Sequence, residues 1–149
     1  MHSVFLVPFF FLLTCAGASP LRAQSYGERD TGFSLLLSRR NEAPRGIVAS
    51  ITTTSIYPCE GYVVRCAVVW TGDTATVMIT GLRAPSPCAG GGAEATGTVF
   101  LGAVAGTAFL RIDYRGDADL YRIVTGGARP GAYPLRAEFT RVRLDVPAR

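Results

Sequence analysis

Lysine is absent from this chain: all 15 basic residues are arginine. That excludes a phosphate-loop lysine and Schiff-base catalysis. Histidine occurs once, at His2, at the head of an apolar segment expected to be removed as a signal. The remainder then has no imidazole for a Ser-His-Asp or Cys-His arrangement, or for a histidine-ligated metal. Charge is scarce, at 17% of residues, and spread along the chain, with Arg39-Arg40 the only adjacent basic pair. A nucleic-acid footprint is a dense basic patch interleaved with aromatics, so no nucleic-acid partner is expected. No window carries a 3.6-residue apolar period with caps, so no helix is expected. No apolar run reaches the roughly 20 residues that span a bilayer.

Apolar side chains and turn residues are plentiful: 48% hydrophobic, 17 Gly and 9 Pro in 149 residues. That is one domain of many short elements, too apolar for a disordered chain. The run "VFLVPFFFLL", Val4 to Leu13, has the length of a signal-peptide core. Leu21 and Ala23 suit a cleavage point after Ala23, giving a 1–23 signal, a 24–30 lead-in and one domain over 31–149. "AGA" ending at Ala18 is the second choice, with Pro20 against it. A lipoprotein through Cys15 ranks lower, because Thr14 fits a lipobox poorly. Cleavage after Ala23 leaves 14 arginines against 11 carboxylates. The expected location is secreted or periplasmic.

Strand signals fill the rest. Candidates are 32–38, 47–56, 62–71, 74–82, 96–101, 107–114, 119–125 and 135–146. They are separated by "RRNEAPRG", "YPCEG", "TGD", "RAPSPCAGGG", "RGD" and "TGGARPG". This pattern predicts an all-β fold, an antiparallel β-sandwich of about seven or eight strands. The clearest piece is the hairpin "GYVVRCAVVWTGDTATVMITGL". A Gly72-Asp73 loop suits a type II′ turn and pairs Thr71 with Thr74. Trp70, Val68, Cys66 and Val64 then share an apolar face with Ala75, Val77, Ile79 and Gly81. A slip by one residue destroys that agreement.

Extending this register sets Cys59 opposite position 86, near Cys88. Cys59 and Cys66 lie seven residues apart, about 23 Å along an extended strand, whereas a disulfide needs Cα atoms within about 7 Å. The expected bridge is therefore Cys59–Cys88, with Cys66 a buried thiol. A bend at Pro58 and Gly61 would allow Cys59–Cys66 instead. The cysteine spacings match no zinc pattern, and no metal or other cofactor is expected. "GGG" at Gly90–Gly92 reads as a flexible connector.

Asp113, Asp117, Asp119 and Glu138 are the residues from which a carboxylate-pair hydrolase would have to be built. Nothing in the sequence sets two of them around a cleft, and they read as turn and surface residues. The aspartates also lack the ligand pattern of a calcium loop. Arg115-Gly116-Asp117 forms a tripeptide associated with cell adhesion. It sits at the tip of a second hairpin, which gives Gly116 and Asp117 a structural reason to be there. A Gly116-Asp117 loop would set Arg111 opposite Arg122. An Arg115-Gly116 loop would put Arg115 in the left-handed region. Both registers remain open.

That hairpin, "AGTAFLRIDYRGDADLYRIV", resembles the late hairpin of immunoglobulin-like and fibronectin type III-like β-sandwiches. "YPCEGY" with a later "PSPC" resembles small secreted bacterial proteins. The resemblance spans residues 55–125, implies a sandwich and brings no catalytic residue. The expected function is a non-catalytic binding or envelope-structural module whose partner is a protein or an envelope component. Residues 83–94 and 126–133 would be the contact loops. The nearest alternative is an inhibitor of a secreted protease, and the distant one the carboxylate-dependent hydrolase.

Overall fold

A computed structural model describes residues 32–145. The expected signal segment and lead-in lie outside the described residues. Nine strands follow one another: β1 (Phe33–Arg40), β2 (Gly46–Cys59), β3 (Val63–Thr71), β4 (Thr74–Arg83), β5 (Gly90–Gly102), β6 (Thr107–Tyr114), β7 (Asp117–Val124), β8 (Gly131–Arg136) and β9 (Thr140–Asp145). Alternation makes these strands. Phe33, Leu35 and Leu37 of β1 point inward to meet Ile47, Ala49 and Ile51 of β2, while Ser34 and Leu36 face out. Val77, Leu110, Ile112, Tyr121 and Ile123 complete the interior from the other half. Period-two patterning of this kind commits each strand to one face.

The all-β expectation holds, and the architecture differs from the expected sandwich in two respects. The strands form one sheet in the order β8-β7-β6-β4-β3-β5-β2-β1-β9, curled nearly into a barrel. The junction that joins its two halves is thin. Val63 of β3 pairs with Thr96 of β5 in parallel, and the Thr96 N–H donates to the Tyr62 carbonyl at 3.1 Å. Gly97 permits this approach, because a Cβ there would lie 2.5 Å from the Val64 carbonyl oxygen. Lower down, the Trp70 indole N–H bridges the same gap to the Leu101 carbonyl at 2.7 Å.

The second difference is the ninth strand. The single strand expected over 135–146 is two, β8 and β9, because residues 137–139 turn the chain from an antiparallel partner, β7, to a parallel one, β1. The flexible connector expected at Gly90–Gly92 is also strand. It opens β5, and Gly90 pairs with Cys59 at the end of β2.

The first hairpin keeps its expected register from Thr71–Thr74 to Cys66–Ile79. A bulge then shifts Arg65 onto Gly81 and Val64 onto Leu82. Gly72 has φ of 61°, as the turn requires.

Candidate functional site

The barrel fails to close between its two terminal strands, β8 and β9. What holds them near one another comes from β7. Asp119 pairs with Ile112 on the inward face and is fully buried. Its Oδ1 accepts the Glu138 N–H at 2.8 Å. Its Oδ2 accepts the N–H groups of Phe139 at 3.1 Å and Thr140 at 2.8 Å, and the Thr140 hydroxyl at 2.6 Å. Two residues on, the Tyr121 hydroxyl donates to the Thr140 carbonyl at 2.7 Å. One carboxylate and one phenol thus clasp the turn that starts β9.

Burial by itself would raise the Asp119 pKa. The hydrogen bonds from Thr140, Glu138 and Phe139 outweigh it and hold the carboxyl below its ordinary value. Burial pushes the Tyr121 phenol up; the Thr140 bond offsets part of this, and the Asp119 charge adds to it.

Beside the clasp opens a cleft of about 980 Å³. It is lined by Tyr121 and Phe139, by Gly32 and Thr54, by Pro134 of β8 and by the Arg141–Arg143 stretch of β9. β8 is a blunted edge. Pro134 has no N–H to offer, and a bulge beside it shifts the β7–β8 register between Leu120 and Tyr121. β9 has no such protection in its backbone. A smaller cleft of about 240 Å³ at the opposite end is lined by Arg39, Arg40 and Arg45. Arg39 there donates to the Thr125 carbonyl at 2.6 Å.

No protein family, curated protein or solved structure matches the chain.

Cys59 and Cys88 are bridged, with Cα atoms 5.4 Å apart. The bridge ties the end of β2 to the 84–89 connection, and it is compatible with an oxidising compartment. Cys66 is free, as expected, but only half-buried. It packs against the core from the exposed β3, and burial pushes its thiol pKa up.

The Arg115-Gly116-Asp117 tip adopts the second of the two registers. Tyr114 pairs with Asp117, Arg115 has φ of 54° and Gly116 of 93°. Arg111 then faces Leu120, and Arg122 faces Phe109. This register puts Arg115 in the left-handed region and avoids a direct Arg–Arg pair. All three tip residues are exposed. Beneath them Tyr114 is buried, edge-on to Phe33 at 4.9 Å, and the Arg115 guanidinium lies 5.3 Å from the Tyr114 ring.

The carboxylates do not gather. Asp113 is on the outer face, paired with Arg111 at 2.6 Å, and Glu138 is paired with Arg136 at 3.0 Å. Asp117 is at the tip, and Asp119 is inside rather than on the surface. Among the described residues no three His, Cys, Asp or Glu stand together as a metal site, and no helix is long and apolar enough to cross a membrane. The contact loops expected over 83–94 and 126–133 are partly strand, leaving 84–89 and 125–130 as connections.

Proposed function

We propose that the chain is an exported, non-catalytic binding or envelope-structural module, that residues 1–23 are its signal, and that the seam cleft is where its partner docks. The observation that carries this reading is the cleft itself: about 980 Å³, beside an unpaired strand edge, with apolar Tyr121 and Phe139 and the cationic Arg141 and Arg143 around it. Recognition sites of this mixed character are the usual kind. Every acceptor position that Asp119 uses is taken by a backbone or hydroxyl donor of the same fold, which supports a structural rather than a catalytic role. The immunoglobulin-like resemblance lends only a hairpin analogy and no activity.

The test compares capture of envelope components by the mature protein and by Thr54→Trp, which adds bulk to the cleft lining. Ser50→Trp, on the outer face of β2, controls for added bulk. Capture lost only in Thr54→Trp supports the reading; equal capture by all three overturns it.

A second reading, inhibition of a secreted protease, is favoured by one feature. The exposed 84–89 connection is stapled at Cys88 to β2, and a rigid exposed loop is what a protease-blocking segment needs. Stoichiometric inhibition of any member of a secreted-protease panel would establish it in place of the envelope reading. The carboxylate hydrolase would require a hydrolytic activity that falls on single replacement of Asp113, Asp117, Asp119 or Glu138.

A further inference from the structure

Hydrogen bonding along β9 fixes which of its backbone groups face the open seam. In a parallel pair, alternate residues turn both N–H and C=O to the same neighbour. Thr140 sends its N–H to Asp119 and its C=O to Tyr121, away from β1. Val142, two residues on, therefore turns its N–H and C=O the same way, into the cleft. Among the described residues no strand pairs with that side of β9, which ends the sheet order. The side chains alternate with equal clarity. Val142 and Leu144 are half-buried against the core, and Arg141 and Arg143 are exposed on the outer face. Among the described residues neither arginine pairs with a carboxylate.

We propose that the free edge of β9 accepts an extended acidic segment of a partner protein as an added strand, with its carboxylates against Arg141 and Arg143. This rests on the binding reading above and names the partner's chemistry. An added strand forms main-chain hydrogen bonds with the edge, and pockets for alternate side chains select its sequence. Its outward residues lie directly opposite the two arginines, so they are Asp or Glu. Its inward residues meet Val142, Tyr121 and Phe139, so they are apolar. A second copy of this chain is the competing occupant: an antiparallel β9–β9 pair centred on Val142 sets Arg141 against Arg143 of the other copy, whereas one centred on Leu144 sets Arg143 against Asp145. Dependence of edge protection on protein concentration distinguishes it from the acidic segment. β8 of the same chain is held off by its proline and its bulge.

The experiment uses the mature, disulfide-bonded protein and a labelled ten-residue peptide alternating Val and Glu, with a Val/Lys peptide as counterpart. Binding is read by fluorescence anisotropy and by hydrogen exchange of residues 140–145. The Val/Glu peptide is expected to bind, to slow exchange within 140–145 at the edge-facing Val142 and Leu144 amides, and to weaken as salt is added. In Arg141→Glu/Arg143→Glu its affinity is expected to fall by about tenfold or more, since two attractions become two repulsions. The Val/Lys peptide should then gain. Should the reversal unfold the protein, Arg141→Ala/Arg143→Ala replaces it, with an expected loss of about threefold to tenfold.

Unchanged affinity in the charge variants, or no protection at 140–145, overturns the proposal. Protection of 140–145 that depends on protein concentration without peptide also overturns it and gives the edge to a second copy. If peptide binding fails while Thr54→Trp still abolishes capture of envelope components, strand addition alone is lost. If Thr54→Trp also leaves capture unchanged, the binding reading falls with it.

Discussion

Replacing Asp119 by Ala removes the acceptor for three backbone N–H groups and one hydroxyl. The Thr140 donors are buried, and those of Glu138 and Phe139 are partly so. A buried donor left without a partner loses roughly 1–3 kcal/mol. Water from the adjoining cleft can serve the half-buried donors, so the expected total is about 3–5 kcal/mol rather than the full sum. For a domain of this size that lowers Tm by roughly 10–20 °C. Asp119→Asn is nearly as damaging, because its amide turns two donors toward donors. The pH dependence has a defined sign. The folded carboxyl titrates below its ordinary value, so its stabilisation is full above the unfolded carboxylate range and is lost as pH falls through the folded value. Urea unfolding of the wild type and Asp119→Asn from pH 7 to pH 2 measures this directly. The gap between the two proteins should narrow only on the acid side. A gap under about 1 kcal/mol at neutral pH, or one that does not change with pH, would refute the clasp.

Four further outcomes are expected. Non-reducing peptide mapping links Cys59 to Cys88, and opening that bridge lowers stability by about 3.5 kcal/mol from the loop entropy of a 29-residue separation; Cys66 alkylates slowly in the native state and fast once unfolded. Gly116→Val lowers stability by roughly 1 kcal/mol or more because φ at that position is 93°, whereas Asp117→Glu leaves Tm unchanged; loss of cell binding by Asp117→Glu with full stability would instead establish an adhesion role. Gly97→Ala costs about 2–3 kcal/mol by thermal melting, since its Cβ meets the Val64 carbonyl at the thin β3–β5 junction. N-terminal sequencing of the exported protein begins at Gln24 or Ser19, and an intact Met1 on cytosolic protein would contradict export.

Local pairing was legible wherever both strands of a hairpin carried alternation. The apolar face of "GYVVRCAVVW" against "TATVMITGL" fixes one register, and it is the one found down to Cys66–Ile79. The bulge beyond it leaves no trace in the pattern, because a glycine at 81 fits either face. The Cys59–Cys88 bridge follows from that hairpin by a route that differs from the real one. Cys59 ends β2, and the chain reverses at Glu60-Gly61 before β3, yet both readings bring it near Cys88. Long-range closure was not legible. Whether strands pair into two sheets or one turns on a single ladder pair, Val63 with Thr96, between residues far apart in sequence. The clasp did leave a signal. Asp119 stands two residues before Tyr121, on the same inward parity as Tyr121 and Ile123. A carboxylate at an inward position needs a set of donors. Parity distinguishes Asp119 from the outward Asp113, but Asp117 shares it at the exposed start of β7, so the pattern alone did not single Asp119 out from the residues read as turn and surface. The donors themselves, backbone groups of residues 138–140, carry no side-chain signature that a sequence displays.

The most direct measurement of docking at the cleft beside β9 is hydrogen exchange across residues 137–145 of the protein, with and without an added cell-envelope fraction. Docking at the seam gives slower exchange in that segment, carried by the Val142 amide, and unchanged exchange at the Arg115-Gly116-Asp117 tip. Protection at 84–89 or at the tip, with 137–145 exchanging as in the free protein, would contradict a binding site at the seam.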